Sequence, residues 1–309
     1  MNNKIAFKQF CEQNNVNLFG SFWWWNNVVK DNWDVLIHKK DDQILACMPY
    51  HFKYKFGLKA IIPPVLTPYQ SISFSIPDDA KSDKQLSFVR KSLEHLINEI
   101  PSCTLFLRQV DYKEDYLLPF IWNNYEVKVR YTYILDTTID KDLLFMNMKD
   151  TLRREIKKAK TNTHIVTSNN VDALYLLKQK SANNSNEPLN YSKEYLIRIA
   201  GLIELGKGSI QEITENNKTI ASLFVCWDNY QLYYICGALD PDYRNSGGLS
   251  WLLWEAILQA KNRGLTFNFE GSMIKSIERY FASFGASPTP FFEIKKVNPG
   301  IIRPLFNKI

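Results

Sequence analysis

The stretch "YQLYYICGALDPDYRNSGGLSWLLWEAILQAKNRGLTFNFE", residues 230–270, constrains this chain more than any other. It reads as a β-rich run, a turn carrying paired glycines, an apolar helix over about 247–262, and a second strand over 265–269. Strand, glycine turn, helix and strand in that order imply a helix laid across a sheet, and so a mixed α/β class. Because side chains alternate along a strand, Leu265, Phe267 and Phe269 share one face and Thr266, Asn268 and Glu270 the other. A carboxylate on a covered face needs a partner or a ligand. Strand C-termini in open α/β sheets are also where ligands bind. Glu270 is therefore a candidate general base and Asn268 a candidate substrate contact; capping the next helix or pairing with an arginine is the structural alternative for Glu270.

The rest of the chain extends the pattern. Residues 5–14 predict a short helix, and "WDVLIH", "DDQ" and "ILACMPYHF" predict a hairpin. The prolines of "IIPPVLTPY" predict an extended crossing rather than a central strand. Leu86, Val89, Leu93 and Leu96 fall on one helical face, and "CTLFLRQV", "LLPFIWNN" and "YEVKVRYTYIL" follow as strand, helix and strand. The turn-rich "DTTIDKD" marks a boundary, giving domains 1–140 and 141–309. Beyond it the plan repeats: a basic helix within 142–160, the strand "HIVTS", helices near 171–180 and 192–206, and two consecutive strands, "TIASLFVCW" and "YQLYYICGAL". A two-residue Asp228-Asn229 turn would pair Cys226 with Gln231 and Cys236 with Ala221. A helix near 274–284 and the strand "PFFEIKK" complete the second half.

The 309 residues are 45% hydrophobic, enough for a large core and two domains. The formal charge of +6 favours anionic partners. Five cysteines without C-x-x-C or Cys/His spacing argue against a disulfide framework or a metal site and fit the cytoplasm. The N-terminal twenty residues lack an apolar leader core, and no run of 18 apolar residues predicts a membrane span, so no membrane insertion is expected. In the basic helix, Arg153, Arg154 and Lys157 could clamp an anionic acceptor; a solvated charged face is the plainer reading. "SFWWW" at 21–25 reads as core, and the four histidines show no triad spacing.

Three segments carry a resemblance: "LRREIKKAK" (152–160), "LYYICGALDPDYRNSGGLSWLLWEAI" (232–257) and "FNFEGSMIKSIERYFASFGA" (267–286). The second half resembles the GNAT acyltransferase superfamily, in its FemAB-like branch of tandem domains. The resemblance implies two tandem GNAT-like domains, each a mixed, mostly antiparallel sheet flanked by helices, the first degenerate and shaping a substrate cleft. It implies acyl-CoA as co-substrate and no metal. Tyr234 and Cys236 would lie on the strand that holds the pantetheine, and Arg244, Asn245, Gly247, Gly248 and Ser250 at the pyrophosphate turn. That turn departs from the family's pattern, with Leu249 at its final small position. Many members carry a tyrosine proton donor four residues before the glycine ending the last helix; Phe281 stands there, with Tyr280 beside it. The FemAB peptidyltransferases, which build peptidoglycan cross-bridges from aminoacyl-tRNA, carry a lysine where Ala282 stands. The implied activity is N-acyl transfer from an acyl thioester to a small-molecule or peptide amine. The alternatives are tRNA-dependent aminoacyl transfer in cell-wall synthesis and a non-catalytic binding protein that keeps the fold. The sequence leaves the oligomeric state open.

Overall fold

The computed structural model describes residues 2–76, 81–114, 116–185, 187–216, 218–271 and 273–299. Along the chain run α1 (Asn3–Gln13), β1 (Trp33–Lys40), β2 (Gln43–Lys55), β3 (Leu58–Ile61), β4 (Ser73–Phe74), α2 (Ser82–Asn98), β5 (Leu105–Val110), α3 (Leu118–Trp122) and β6 (Glu126–Leu135). There follow α4 (Lys141–Met146), α5 (Asp150–Asn162), β7 (His164–Thr167), α6 (Val171–Ser185), α7 (Lys193–Glu204), β8 (Gly208–Glu215), β9 (Lys218–Trp227) and β10 (Gln231–Leu239). The chain finishes with α8 (Gly248–Asn262), β11 (Thr266–Asn268), α9 (Lys275–Ala282) and β12 (Ser287–Val297).

Two compact units result: residues 1–130 with 290–309, and residues 131–289. The change of unit falls inside β6, where no turn residue marks it, and the last strand returns to the first unit. There β12 pairs antiparallel with β5, from Phe292↔Val110 to Val297↔Leu105.

The first unit orders its strands β1-β2-β3-β5-β12, with β4 on β2. The β1/β2 hairpin turns at Asp41 and Asp42, both left-handed. After β3 the proline-rich segment carries no strand before β4. Trp24 and Trp25 are fully buried, and their indole N–H groups donate to Thr67 Oγ1 (3.1 Å) and the Phe19 carbonyl (2.9 Å), which removes the cost of burying a polar group. The face Leu93, Leu96 and Ile97 of α2 packs with Phe106, Phe120 and Ile294.

The second unit orders its strands β6-β11-β10-β9-β8-β7. β9 is buried along most of its length because α8 and α6 both pack on it, so its sequence shows an apolar run rather than alternation. α8 is apolar nearly all round because it lies between the sheet and α5. Burial of each large aliphatic side chain there, Leu252, Leu253 and Ile257 among them, is worth about 1.5–3 kcal/mol.

Three local expectations are corrected. β8 was not anticipated: "GSIQEITE" hides its strand character by burying Ser209 and Glu212 beside Ile210 and Ile213. The basic helix is two helices, because the chain at Lys149 donates its N–H to the Ser283 carbonyl (2.9 Å) at the end of α9. The β9/β10 connection is wider than two residues. Its outermost pair is Trp227↔Leu232, so Cys226 faces Tyr233 and Cys236 faces Phe224. Asp228 sets this turn, accepting from the N–H groups of Tyr230 (2.8 Å) and Gln231 (2.9 Å) and from the Tyr233 hydroxyl (3.0 Å).

The duplication seen at the level of elements has a structural counterpart. β3 and β5 are parallel with α2 between them, and β10 and β11 are parallel with α8 between them.

Candidate active site

In the second unit β10 and β11 pair only through Gln231↔Thr266, Leu232↔Phe267 and Tyr233↔Asn268. β10 continues to Leu239, whereas β11 stops. A register shift between Tyr234 and Cys236 bends β10 at that point. The two strands thus part at their C-terminal ends, and among the described residues one edge of β10 has no strand neighbour beyond Tyr233.

Asn268 closes the paired part. It is fully buried: its Oδ1 accepts from Thr132 Oγ1 (2.8 Å) and from the Glu270 N–H (2.9 Å), and its Nδ2 donates to Gln231 Oε1 (2.9 Å). The side chain expected to meet substrate is engaged within the protein and holds the strand ends together.

Glu270 does not continue the strand. Its backbone is left-handed (φ +63°), as is that of Gly271 (φ +58°), so the alternation that would align it with Asn268 ends first. The cause is β6. A Cβ on Gly271 would sit 2.4 Å from the Tyr131 carbonyl oxygen and 2.5 Å from Thr132 Cα. Only glycine allows that approach. A glutamate at positive φ is uncommon, and such outliers gather at functional sites. The Glu270 oxygen Oε1 is shielded from solvent. Burial pushes the Cys226 thiol up, and the Glu270 and Asp228 carboxylates add to it.

Rings pack together beside the strand ends. Tyr234 lies 6.2 Å from Phe281, and Phe281 lies 5.0 Å from Phe269. Phe281, at the family's tyrosine position, is buried core. Burial holds the Tyr234 phenol well above its ordinary value and pushes Cys236 up to about 11, the latter partly offset by Lys178 and the Tyr191 hydroxyl.

Tyr280 points elsewhere. Its hydroxyl lies 2.9 Å from Ser250 Oγ, which donates to Glu155 Oε1 at 3.0 Å. Burial raises the Tyr280 phenol, the Ser250 bond lowers it and Glu155 raises it further, so the group stays protonated. This chain of side chains joins α5, the first turn of α8 and α9. Nothing in the spacing of α5 singles out Glu155, which is one of two acids there with Asp150.

The glycine turn is packed rather than open. Gly247 is left-handed (φ +75°), and a Cβ there would lie 2.7 Å from Glu155 Cγ and 2.8 Å from the Glu155 carbonyl oxygen. A Cβ on Gly248 would come within 3.2 Å of the Ala221 side chain. Arg244 and Asn245 are exposed. The pyrophosphate of coenzyme A would meet a carboxylate at the end of α8, so on this geometry the turn does not fit that group.

The basic helix splits its cations. The Arg153 guanidinium bonds Asp150 and the Met146 carbonyl (3.2 Å). Lys157 lies 5.8 Å from the Phe145 ring centre, and Lys160 pairs with Glu255 at 3.0 Å. Arg154 and Lys158 are exposed. Among the described residues, no group of three His, Cys, Asp or Glu is placed to hold a metal, and no helix is long and apolar enough to cross a membrane.

Parallel strands that part beside a crossover helix, with a carboxylate at the tip, make an α/β site at the C-terminal ends of β10 and β11. Residues 146–280 match the family model described as "Acetyltransferase (GNAT) domain". The fold is similar to the crystal structure of FemX (TM-score 0.67, 13% identity, covering 99% of this chain and 98% of that one). It is also similar to L-PGS from Bacillus licheniformis (0.59, 9%, 98% and 94%) and to a tandem GNAT protein from the clavulanic acid biosynthesis pathway (0.54, 6%, 95% and 93%). At such identities the likeness is one of fold. No curated protein matches the chain in sequence. Residues 146–280 thus match a GNAT domain, and the chain as a whole shares its fold with FemX and with a tandem GNAT protein.

Proposed function

We propose that the second unit is an N-acyltransferase working in the opening between β10 and β11. The observation that carries this reading is the early end of their pairing at Tyr233↔Asn268. Beyond it, β10 N–H groups on the open edge can donate to a donor carbonyl and stabilise the oxyanion that forms there. The acceptor amine attacks the acyl carbon, a new C–N bond forms, the bond to the leaving oxygen or sulfur breaks, and Glu270 takes the amine proton. Asn268 sets the Glu270 backbone by accepting its N–H. Tyr280, tied to Ser250, supports α8 and is not placed as the proton donor.

Two donors are compatible with this chemistry, an acyl-CoA and an aminoacyl ester on tRNA. Glu155 at the end of α8 favours a donor that needs no pyrophosphate site there. The exposed Arg154 and Lys158 could follow a phosphate backbone. Ala282 stands at the FemAB lysine position, so the transition-state charge would rest on backbone N–H groups alone. We infer an aminoacyl ester as donor and a small-molecule or peptide amine as acceptor.

The test is direct binding of charged tRNA and of coenzyme A to the full chain, followed by transfer assays with Glu270→Gln. Binding of charged tRNA without coenzyme A, and a loss of about 10²–10⁴ in turnover for the variant, supports the reading. Tight coenzyme A binding restores the thioester donor. Unchanged turnover in Glu270→Gln removes the base assignment, and binding of neither donor leaves a non-catalytic protein.

A further inference from the structure

In the first unit, residues 53–59 read Lys-Tyr-Lys-Phe-Gly-Leu-Lys. β2 and β3 pair there through Tyr54↔Lys59 and Lys55↔Leu58. β1 follows β2 only as far as Trp33↔His51, and β5 meets β3 only at Ala60 and Ile61. The end of the hairpin is therefore paired with itself and projects past both neighbouring strands. Its apolar side chains stand in solvent: Phe56 is 93% exposed, Tyr54 64% and Leu58 53%.

The turn makes this choice of residue costly. Phe56 and Gly57 both take positive φ (51° and 76°), a geometry for which Asn-Gly is the favoured pair. A bulky side chain at positive φ is strained where asparagine is tolerated. A Cβ on Gly57 would meet nothing within 4 Å, so the tip has no packing to offset that strain. A local rule broken at the most exposed point of an element, with no compensation inside the fold, points to a partner outside it.

The chemistry of that partner follows from how the side chains are distributed. Tyr54 and Lys59 share one face of the hairpin, and Lys55 and Leu58 share the other. Apolar groups thus point to the tip from both faces, and cations flank it on both faces. A protein groove would have to supply acids on two opposed walls, whereas a flat anionic surface meets all three lysines at once. The ammonium groups of Lys55 and Lys59 lie 5.7 Å from the Phe56 ring centre and 4.6 Å from that of Phe52, so cations and rings stand side by side near the tip, as an interface between apolar and anionic layers requires.

We propose that the β2/β3 hairpin is an interfacial anchor for a bilayer surface rich in anionic lipid. Phe56, Tyr54 and Leu58 enter the headgroup and upper acyl region, and Lys53, Lys55 and Lys59 stay level with the lipid phosphates. The contact is peripheral and independent of the transfer chemistry.

Flotation of the full chain with phosphatidylcholine vesicles, with and without phosphatidylglycerol, tests it. The natural chain is expected to float with the anionic vesicles and to be released as salt is raised. Phe56→Asn suits the turn better, so it should unfold no more easily while partitioning at least about tenfold less. Lys53→Glu combined with Lys55→Glu should abolish the preference for anionic lipid. The proposal is overturned by failure of the natural chain to float at low salt, by equal flotation with neutral vesicles, or by undiminished flotation of Phe56→Asn. Self-association of the natural chain in gel filtration that Phe56→Asn abolishes also overturns it, because the hairpin is then a contact between copies.

Discussion

Ser250, on the first turn of α8, donates a hydrogen bond to Glu155 of α5 across 3.0 Å. The carboxylate thus sits beside the first turn of α8, where the helix dipole favours a negative charge, so the protein supplies its own anion there.

Replacement of Glu155 by alanine should therefore have two effects of opposite sign. The chain should lose about 0.3–1 kcal/mol of stability, the usual worth of an anion at an exposed helix start. Affinity for coenzyme A and for simple polyphosphates should rise severalfold. Chemical denaturation and calorimetric titration measure the two separately, and an unchanged polyphosphate affinity would show that Glu155 does not guard the turn.

Gly247→Ala should destabilise the second unit by about 2 kcal/mol or more, since both the backbone angle and the Glu155 contact oppose a Cβ. Gly264→Ala, also at positive φ (70°) but with nothing within 4 Å of the added Cβ, should cost less. Urea midpoints of the two variants decide whether contact or backbone geometry dominates.

Asp240 predicts an acid-labile contact. Its carboxylate meets Lys180 at 2.5 Å and Lys218 at 2.9 Å. Burial alone would raise its pKa, but the two lysines and the Asp242 N–H outweigh that and hold it at about 2. An unfolded aspartate titrates near 3.9. The stabilisation is thus complete above roughly pH 4 and is lost as pH falls through about 2. Asp240→Asn should be less stable at neutral pH and show a flatter acid limb in unfolding followed by circular dichroism.

Glu114 predicts the reverse. Burial lifts its carboxyl to about 8, against the pull of the Arg108 guanidinium and of the Ile72 N–H that it accepts at 3.1 Å. The folded state holds this proton where the unfolded chain has released it, so the contribution is intact below about pH 4 and lost as pH rises through about 8. Glu114→Gln should flatten this decline, raising stability at pH 8 relative to the natural chain. A steeper decline in the variant would contradict the assignment.

Helix and strand positions were legible where one physical period ran uninterrupted. The face Leu93–Leu96 of α2 and the apolar run of α8 declared themselves because each side chain's burial follows from its own position in a regular element. β8 did not, because its buried Ser209 and Glu212 imitate a surface strand until Thr219, reaching Glu212 at 3.2 Å, provides a partner. At the candidate site, Glu270 could be singled out as a carboxylate at a strand tip. Its reversed backbone could not, since that depends on the close approach of Gly271 to β6, which is far away in the chain.

Local spacing was enough for most helices and strands, for the strand–turn–helix–strand succession of residues 230–270, and for Gly247 and Gly248 at the start of α8. Those properties rest on interactions between residues a few positions apart. Tertiary structure decided the rest: that the final strand returns to the first unit, that β10 and β11 part after three pairs, and that Glu155 occupies the end of α8. Each of these joins segments tens of residues apart or more, and which distant groups meet is fixed by packing of the whole core rather than by any local preference.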